Sequence, residues 1–157
     1  MPGGDDASID HIDDLFERVP EHLLAQLHHR DVDDPRAEYA MEIDLRPQIE
    51  NSHGSLQGGL AATLVDMAAG RVIIGRLGRE RVPIATLDLH IRYLTTSRVG
   101  PVRALANIVR FGGRIVVVKV DIVDVGADER HMAAATVSFM LLDSLLRGRT
   151  ASPGGDG

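Results

Sequence analysis

Residues 51–69 read Asn-Ser-His-Gly-Ser-Leu-Gln-Gly-Gly-Leu-Ala-Ala-Thr-Leu-Val-Asp-Met-Ala-Ala, a polar loop punctuated by glycine that runs straight into an apolar segment. Between residues 58 and 70 the lone ionisable side chain is Asp66. A helix that is apolar nearly all round is one buried on most sides. The pattern predicts such a central helix from about residue 58 to residue 77, stopped by Gly78, with Arg71 and Arg76 near the end where cations suit the helix dipole. Aspartate is a poor residue for a helix interior, and a carboxylate in apolar surroundings is costly unless paired or hydrogen-bonded. Asp66 breaks a local rule in the most regular part of the chain, which marks it as a functional candidate.

The segments on either side alternate as strands do. Tyr39, Met41, Ile43 and Leu45 alternate with polar or small residues over 38–45, a half-buried strand that Pro47 ends. Downstream, 83–95 places Ala85, Leu87, Leu89, Ile91 and Tyr93 on one face and Thr86, Asp88, His90 and Arg92 on the other. Residues 96–101 make a turn. Strands over 102–111 and 114–125 are joined by Gly112-Gly113, which suits a primed hairpin turn, and 131–142 is the last strand. Upstream, Ile9, Ile12, Leu15, Phe16 and Val19 have helical spacing as far as Pro20. A second short helix is expected over 21–29, with Leu23, Leu24 and Leu27 on its apolar side, followed by a polar connector over 31–35. One strand, one long helix and a strand meander give an α+β fold. The expected division is an N-terminal tail and helical extension over 1–35, the main domain over 36–144, and a flexible tail over 145–157.

Composition narrows the classes. A chain of 157 residues is most simply one domain with a core of its own. A formal net charge of −6 provides no basic footprint for nucleic acid or an anionic membrane. With no cysteine there is neither a disulfide nor a thiolate metal site, and with no tryptophan little to stack bases on. The start lacks the basic and apolar regions of a signal peptide, and no apolar run is long enough to span a bilayer, so a cytoplasmic location is expected. His11, His22, His28 and His29 contain no i,i+4 pair and read as surface histidines rather than a metal site.

The loop and helix carry a resemblance. Asn51, Gly54, Gln57-Gly58-Gly59 and Asp66 resemble the pattern of the phenylacetate-pathway and related acyl-CoA thioesterases of the hotdog-fold superfamily. That pattern is an asparagine, a glycine, then His-Gly-Gly, with an aspartate eight residues after the first glycine of the pair. Ala85-Thr86-Leu87-Asp88-Leu89, followed by Arg92-Tyr93-Leu94 and Gly100, resembles the strand in which the family sets a serine or threonine beside the site. The resemblance covers about 38–142. It implies a hotdog fold, with an antiparallel sheet of about five to six strands wrapped around the central helix. It also implies an acyl-CoA substrate, no metal, no cofactor, and a homodimer as the minimal active unit, often doubled into a homotetramer. The departure is Gln57, where the family has histidine; glutamine keeps a donor and an acceptor but transfers no proton.

In chemical terms, the amide of Gly58 or Gly59 at the positive helix N-terminus would polarise a thioester carbonyl. Asp66 would act as nucleophile or as general base for water. Its structural alternatives are capping a neighbouring strand or pairing with Arg71. Asn51 and Gln57 would hold the loop and orient the thioester or water, and Thr86 would hydrogen-bond the water or Asp66. Arg98, Arg110 and Arg114, with Gly113 and His53, are candidates for contacting coenzyme A. Asp66 lies roughly 12 Å along the helix axis from Gly58, too far for one carbonyl to meet both. A shared site, Gly58 from one subunit and Asp66 from its partner, follows. The competing reading is a non-catalytic acyl-CoA-binding or regulatory module. A hydratase would need a catalytic histidine facing an acid, and none is apparent around Asp66.

Overall fold

The computed structural model describes residues 12–78 and 82–142, apart from the side chains of 12–14. Its elements are α1 (Ile12–Arg18), β1 (Arg30–Val32), β2 (Tyr39–Ile43), α2 (Gly58–Leu77), β3 (Ile84–Tyr93), β4 (Val102–Phe111), β5 (Ile115–Asp124) and β6 (Arg130–Leu141). The strands form one six-stranded antiparallel sheet in the order β1-β2-β4-β5-β6-β3. Helix α2 packs on one face of it, against β2 through β6. The α+β architecture is the expected one, and α2 has the predicted bounds, with Gly78 at φ +63° as its C-cap. No helix of the described residues is long and apolar enough to cross a membrane.

The core forms where small residues meet. Ala61, Ala68 and Ala69 of α2 belong to one buried cluster with Ala104, Ala106, Ala133 and Ala135 of the sheet, which lets helix and sheet approach closely. Leu64, Val65 and Ile73 of the helix, and Met41, Val118 and Val137 of the sheet, fill the rest of the contact. The buried helix positions, Ala61, Leu64, Val65, Ala68, Ala69, Val72 and Ile73, follow helical spacing along a single stripe. Within one chain α2 is therefore covered on one side rather than on most sides. Asp66, Met67, Gly70 and Arg71 are only half-buried.

Five expectations are corrected. Residues 21–29 hold only a 3-10 turn, Ala25–Leu27: Leu24 and Leu27 pack on the core, His28 turns left-handed at φ 48°, and Leu23 remains 82% exposed. The expected connector includes β1, so the sheet begins inside the supposed N-terminal extension. Its register sets Arg30 opposite Glu42, and the Arg30 guanidinium lies 3.0 Å from Glu42 and 3.0 Å from Asp44. Strand β2 is buried on both faces, since Glu42 is held by Arg103 at 2.6 Å. Gly112 and Gly113 do not form a primed turn, for neither has positive φ. Glycine is needed at 112 because a Cβ there would sit 2.6 Å from the Ile115 carbonyl oxygen. In β3 a bulge between Thr86 and Asp88 breaks the alternation, with consequences for the site. The expected N-terminal tail, with Ile9 and His11, and the expected tail over 145–157 lie outside the described residues.

Candidate active site

The head of α2 is built by Gln57. Its backbone is extended, its Oε1 accepts from the Leu60 amide at 3.0 Å, and its carbonyl accepts from Leu60 and Ala61 at 3.0 and 3.1 Å. The amides of Gly58 and Gly59 are left as donors without intrahelical acceptors. Upstream, the Asn51 side-chain oxygen collects the His53 amide at 2.9 Å, the Ser55 amide at 3.3 Å and the Ser55 hydroxyl at 3.2 Å. This is an Asx-type turn that closes the loop, with Gly54 at φ +69° inside it. Asn51 Oδ1 thus closes the loop, while Gln57 caps the helix with its oxygen, a use its sequence position did not signal. His53 is exposed in the loop.

A second loop buttresses this head. The Leu56 amide donates to the Ser97 carbonyl at 3.1 Å. The buried Asp124 carboxylate accepts from the Ser97 hydroxyl and the amides of Arg98, Val99 and Gly100 at 2.8–3.1 Å. Burial opposes its charge, but the four donors together outweigh burial and hold its pKa below the ordinary carboxylate range. Tyr93, at the end of β3, donates its hydroxyl to the Gly58 carbonyl at 2.5 Å. The sequence reading did not include it among the site residues. Its one signal was its place in the Arg92-Tyr93-Leu94 stretch that carried part of the resemblance.

Asp66 lies on the uncovered side of α2, half-buried instead of sunk in the core. Thr86 donates its hydroxyl to Asp66 Oδ1 at 2.8 Å. Simple alternation would put Thr86 on the face opposite Leu89 and Ile91, which pack against the core. The extra residue at the bulge, Leu87, restores Thr86 to the helix side and is itself 47% exposed. The alternative pairing with Arg71 is not found: the Arg71 guanidinium approaches His29 Nε2 at 3.3 Å. Among the described residues no group of His, Asp or Glu side chains is placed to hold a metal ion.

Register locates the remaining candidates. Thr86, Phe139, Val116 and Phe111 occupy one row across β3, β6, β5 and β4. The β4–β5 hairpin, with exposed Arg110, Gly113 and Arg114, therefore stands at the Asp66 end of the sheet. Arg98, also exposed, belongs to the loop beside the helix head, at the other end. A single chain thus brings together Asp66 and Thr86 at one place, and Asn51, Gln57, Gly58, Gly59 and Tyr93 at another. It does not unite the two.

The model of the thioesterase superfamily matches residues 53–129. An esterase-named protein of Halobacterium salinarum is 37% identical over 71 residues, 45% of this chain and 46% of that protein. The medium/long-chain acyl-CoA thioesterase YigI of Salmonella typhimurium is 28% identical over 98 residues, 55% of this chain and 62% of that protein. The match thus spans 46–62% of the length of these curated relatives. A Bacillus halodurans protein crystallised with CoA superposes with a TM-score of 0.65 at 25% identity, over 83% of this chain and 85% of that one. The sheet and central helix are those of the hotdog fold, and residues 53–129 are similar to the thioesterase superfamily.

Proposed function

We propose that the protein hydrolyses acyl- or aroyl-CoA thioesters to the free acid and coenzyme A, at sites shared across a two-fold homodimer. The observation that carries this is the Thr86–Asp66 hydrogen bond on the uncovered side of α2. It holds Oδ1 and leaves Oδ2 with no partner among the described residues. About two turns away, at the N-terminus of the same helix, the glycine amides would form the complementary half, donors for an oxyanion.

Two copies joined along β3, whose outer edge has no strand beside it among the described residues, would set their helices antiparallel. Asp66 of one copy would then face the partner's helix head, and an isologous interface makes both sites alike. Thr86, Arg110, Gly113 and Arg114 would come from the subunit that supplies Asp66, and Gly58, Gly59, Gln57, Asn51, His53 and Arg98 from the other. Pairing of such dimers into a homotetramer leaves this division unchanged. The acyl-CoA thioesterase name of YigI and the CoA held by the Bacillus halodurans protein support coenzyme A esters as the substrate class.

The chemistry follows one of two balanced routes. As a base, Asp66 takes a proton from water while the hydroxide adds to the carbonyl. The tetrahedral oxyanion collapses, the C–S bond breaks, and the thiolate recovers the proton. As a nucleophile, Asp66 displaces the thiolate to form a mixed anhydride, which water then hydrolyses. Free thiol release from a panel of medium-chain, long-chain and aromatic acyl-CoAs tests the activity, with Asp66→Asn beside the wild type. A loss of roughly 10²–10⁴-fold is expected in the variant. Single turnover in ¹⁸O-water tests the nucleophilic route: label on Asp66 arises only if an anhydride forms and water opens it at the Asp66 carbonyl. Tight binding of acyl-CoA without thiol release would replace this reading with the non-catalytic one.

A further inference from the structure

Gly70 is a glycine that the fold of one chain does not require. After proline, glycine is the least favourable residue in a helix interior, and Gly70 stands well inside the 20-residue α2. Neither of the usual reasons for a helix glycine applies. Its φ is not positive, and a Cβ at residue 70 would meet only Ile84 Cδ1, at an ordinary 3.8 Å. Its place is what sets it apart. Gly70 lies one turn beyond Asp66, roughly 6 Å along the axis and on the same side of the helix, and is half-buried like it. The bordering Ile84 comes two residues before Thr86, whose hydroxyl holds the Asp66 carboxylate at 2.8 Å. One turn further on, Ile74 is half-buried and lies outside both core clusters. Arg71 is turned to His29, at 3.3 Å. The bare backbone at residue 70 is therefore bordered by the apolar side chains of Met67, Ile74 and Ile84.

We propose that Gly70 is a specificity-determining residue: its missing side chain makes room for the acyl group, which leaves the reacting carbonyl at Asp66 and runs over residue 70 towards Ile74. The inference rests on the thioesterase reading. With Asp66 set against the partner's helix head, Gly70 lies past the end of that helix, so no close helix crossing calls for a glycine. Chemistry selects the acyl arm over the pantetheine arm for this path. Pantetheine carries two amides that need hydrogen-bond partners when buried. Met67, Ile74 and Ile84 have no donor to give them, and the backbone of α2 is bonded within the helix. An acyl chain or aryl ring needs only apolar contact. A short acyl group ends before residue 70, so the glycine matters to the longer and bulkier ones alone.

Variants of the full-length protein test this. Gly70→Ala should raise Tm by roughly 2–4 °C, because helix propensity rises and nothing in the chain is displaced. Gly75 is exposed, and a Cβ there would meet nothing within 4 Å, so Gly75→Ala is the control: it should gain as much and keep the wild-type rate on every substrate. With acetyl-CoA, Gly70→Ala and Gly70→Leu should keep kcat/KM within about twofold of wild type. With decanoyl-CoA, kcat/KM should fall roughly tenfold in Gly70→Ala and roughly a hundredfold in Gly70→Leu. The S-ethyl and S-decyl thioethers of coenzyme A have no carbonyl to attack and probe the same space without turnover. Gly70→Leu should bind the S-decyl compound roughly tenfold more weakly and the S-ethyl compound as wild type does. A lower Tm in Gly70→Ala, or a chain-length profile of rate and affinity unchanged in Gly70→Leu, would overturn the proposal. If wild type releases thiol from no acyl-CoA, the hydrolase reading fails by itself, and the thioether affinities still decide where the acyl group lies.

Discussion

The Thr86 hydroxyl lies 2.8 Å from Asp66 Oδ1, and it does so because one extra residue, Leu87, sits in the edge strand. Hydrogen bonds to a charged group contribute about 1.5–3 kcal/mol. If the bond orients the carboxylate for reaction, Thr86→Val should lower kcat roughly ten- to a hundredfold, and Thr86→Ser should keep most of it. Deleting Leu87 removes the bulge and turns Thr86 to the other face, so that variant should match Thr86→Val in thiol-release rate. Full activity in the deletion variant would separate Thr86 from the chemistry.

Gln57 has two ends with different uses. Its Oε1 caps α2, while its NH2 group has no partner among the described residues. Gln57→Ala removes both, and loss of a cap costs about 1 kcal/mol, roughly 2–4 °C in Tm for a chain of this size. Gln57→Glu keeps a capping oxygen, and its negative charge suits the helix N-terminus, so Tm should hold. It lacks the amide donor and brings charge beside the oxyanion, so kcat/KM should fall by roughly tenfold. Calorimetry and thiol release on the two variants separate capping from orientation. Equal activity in Gln57→Glu and wild type would confine Gln57 to the cap.

How much of this was legible in the sequence varies with the kind of signal. The bounds of α2 were, because Gly58-Gly59 and Gly78 punctuate a largely apolar run. Asp66 stood out for the same reason, as a charge inside that run. Strand β1 was hidden, since Arg30–Val32 carries no alternation and is held by charges on a strand it meets only after folding. The bulge at Leu87 was hidden as well: a single inserted apolar residue leaves the composition of a strand unchanged while reversing the side to which Thr86 points. The partner of Tyr93 lies 35 positions away in the chain, and no local pattern encodes a contact of that separation.

The loop beside the helix head should report on acid. Asp124 has its pKa lowered in the folded state, so its contribution to stability is complete above its unfolded pKa, about 4, and fades as the pH falls through the folded value. Asp34 acts in the same direction, its Arg36 and Arg103 partners holding it well below the carboxylate range. Asp124→Asn turns an NH2 group toward backbone donors, and should cost about 2–4 kcal/mol at pH 7. Urea midpoints taken from pH 7 down to pH 2 should fall less steeply in that variant than in wild type, with the remaining slope shared by Asp34. A parallel pair of curves would remove Asp124 from the acid response.

Sharing of sites between subunits predicts rescue by mixing two inactive proteins. Asp66→Asn lacks the carboxylate but retains its helix head; Gly58→Pro retains Asp66 but has no amide at residue 58, and proline is tolerated at the first position of a helix, where a Cβ would meet nothing closer than the Tyr93 ring at 3.6 Å. In a random mixture of refolded dimers, about half are mixed. Each mixed dimer has one site with both lesions and one with neither, so about a quarter of all sites should be intact. Thiol release should therefore recover to about a quarter of the wild-type rate, while each variant alone remains inactive. Recovery should require exchange of subunits, appearing after refolding together and not on simple mixing of stable dimers. If both lesions are borne by one chain, mixing that chain with wild type should leave active sites only in wild-type homodimers and in neither site of a mixed pair. A site contained within one subunit would give the opposite pattern: no rescue between the two single variants, and activity in proportion to the wild-type chains present.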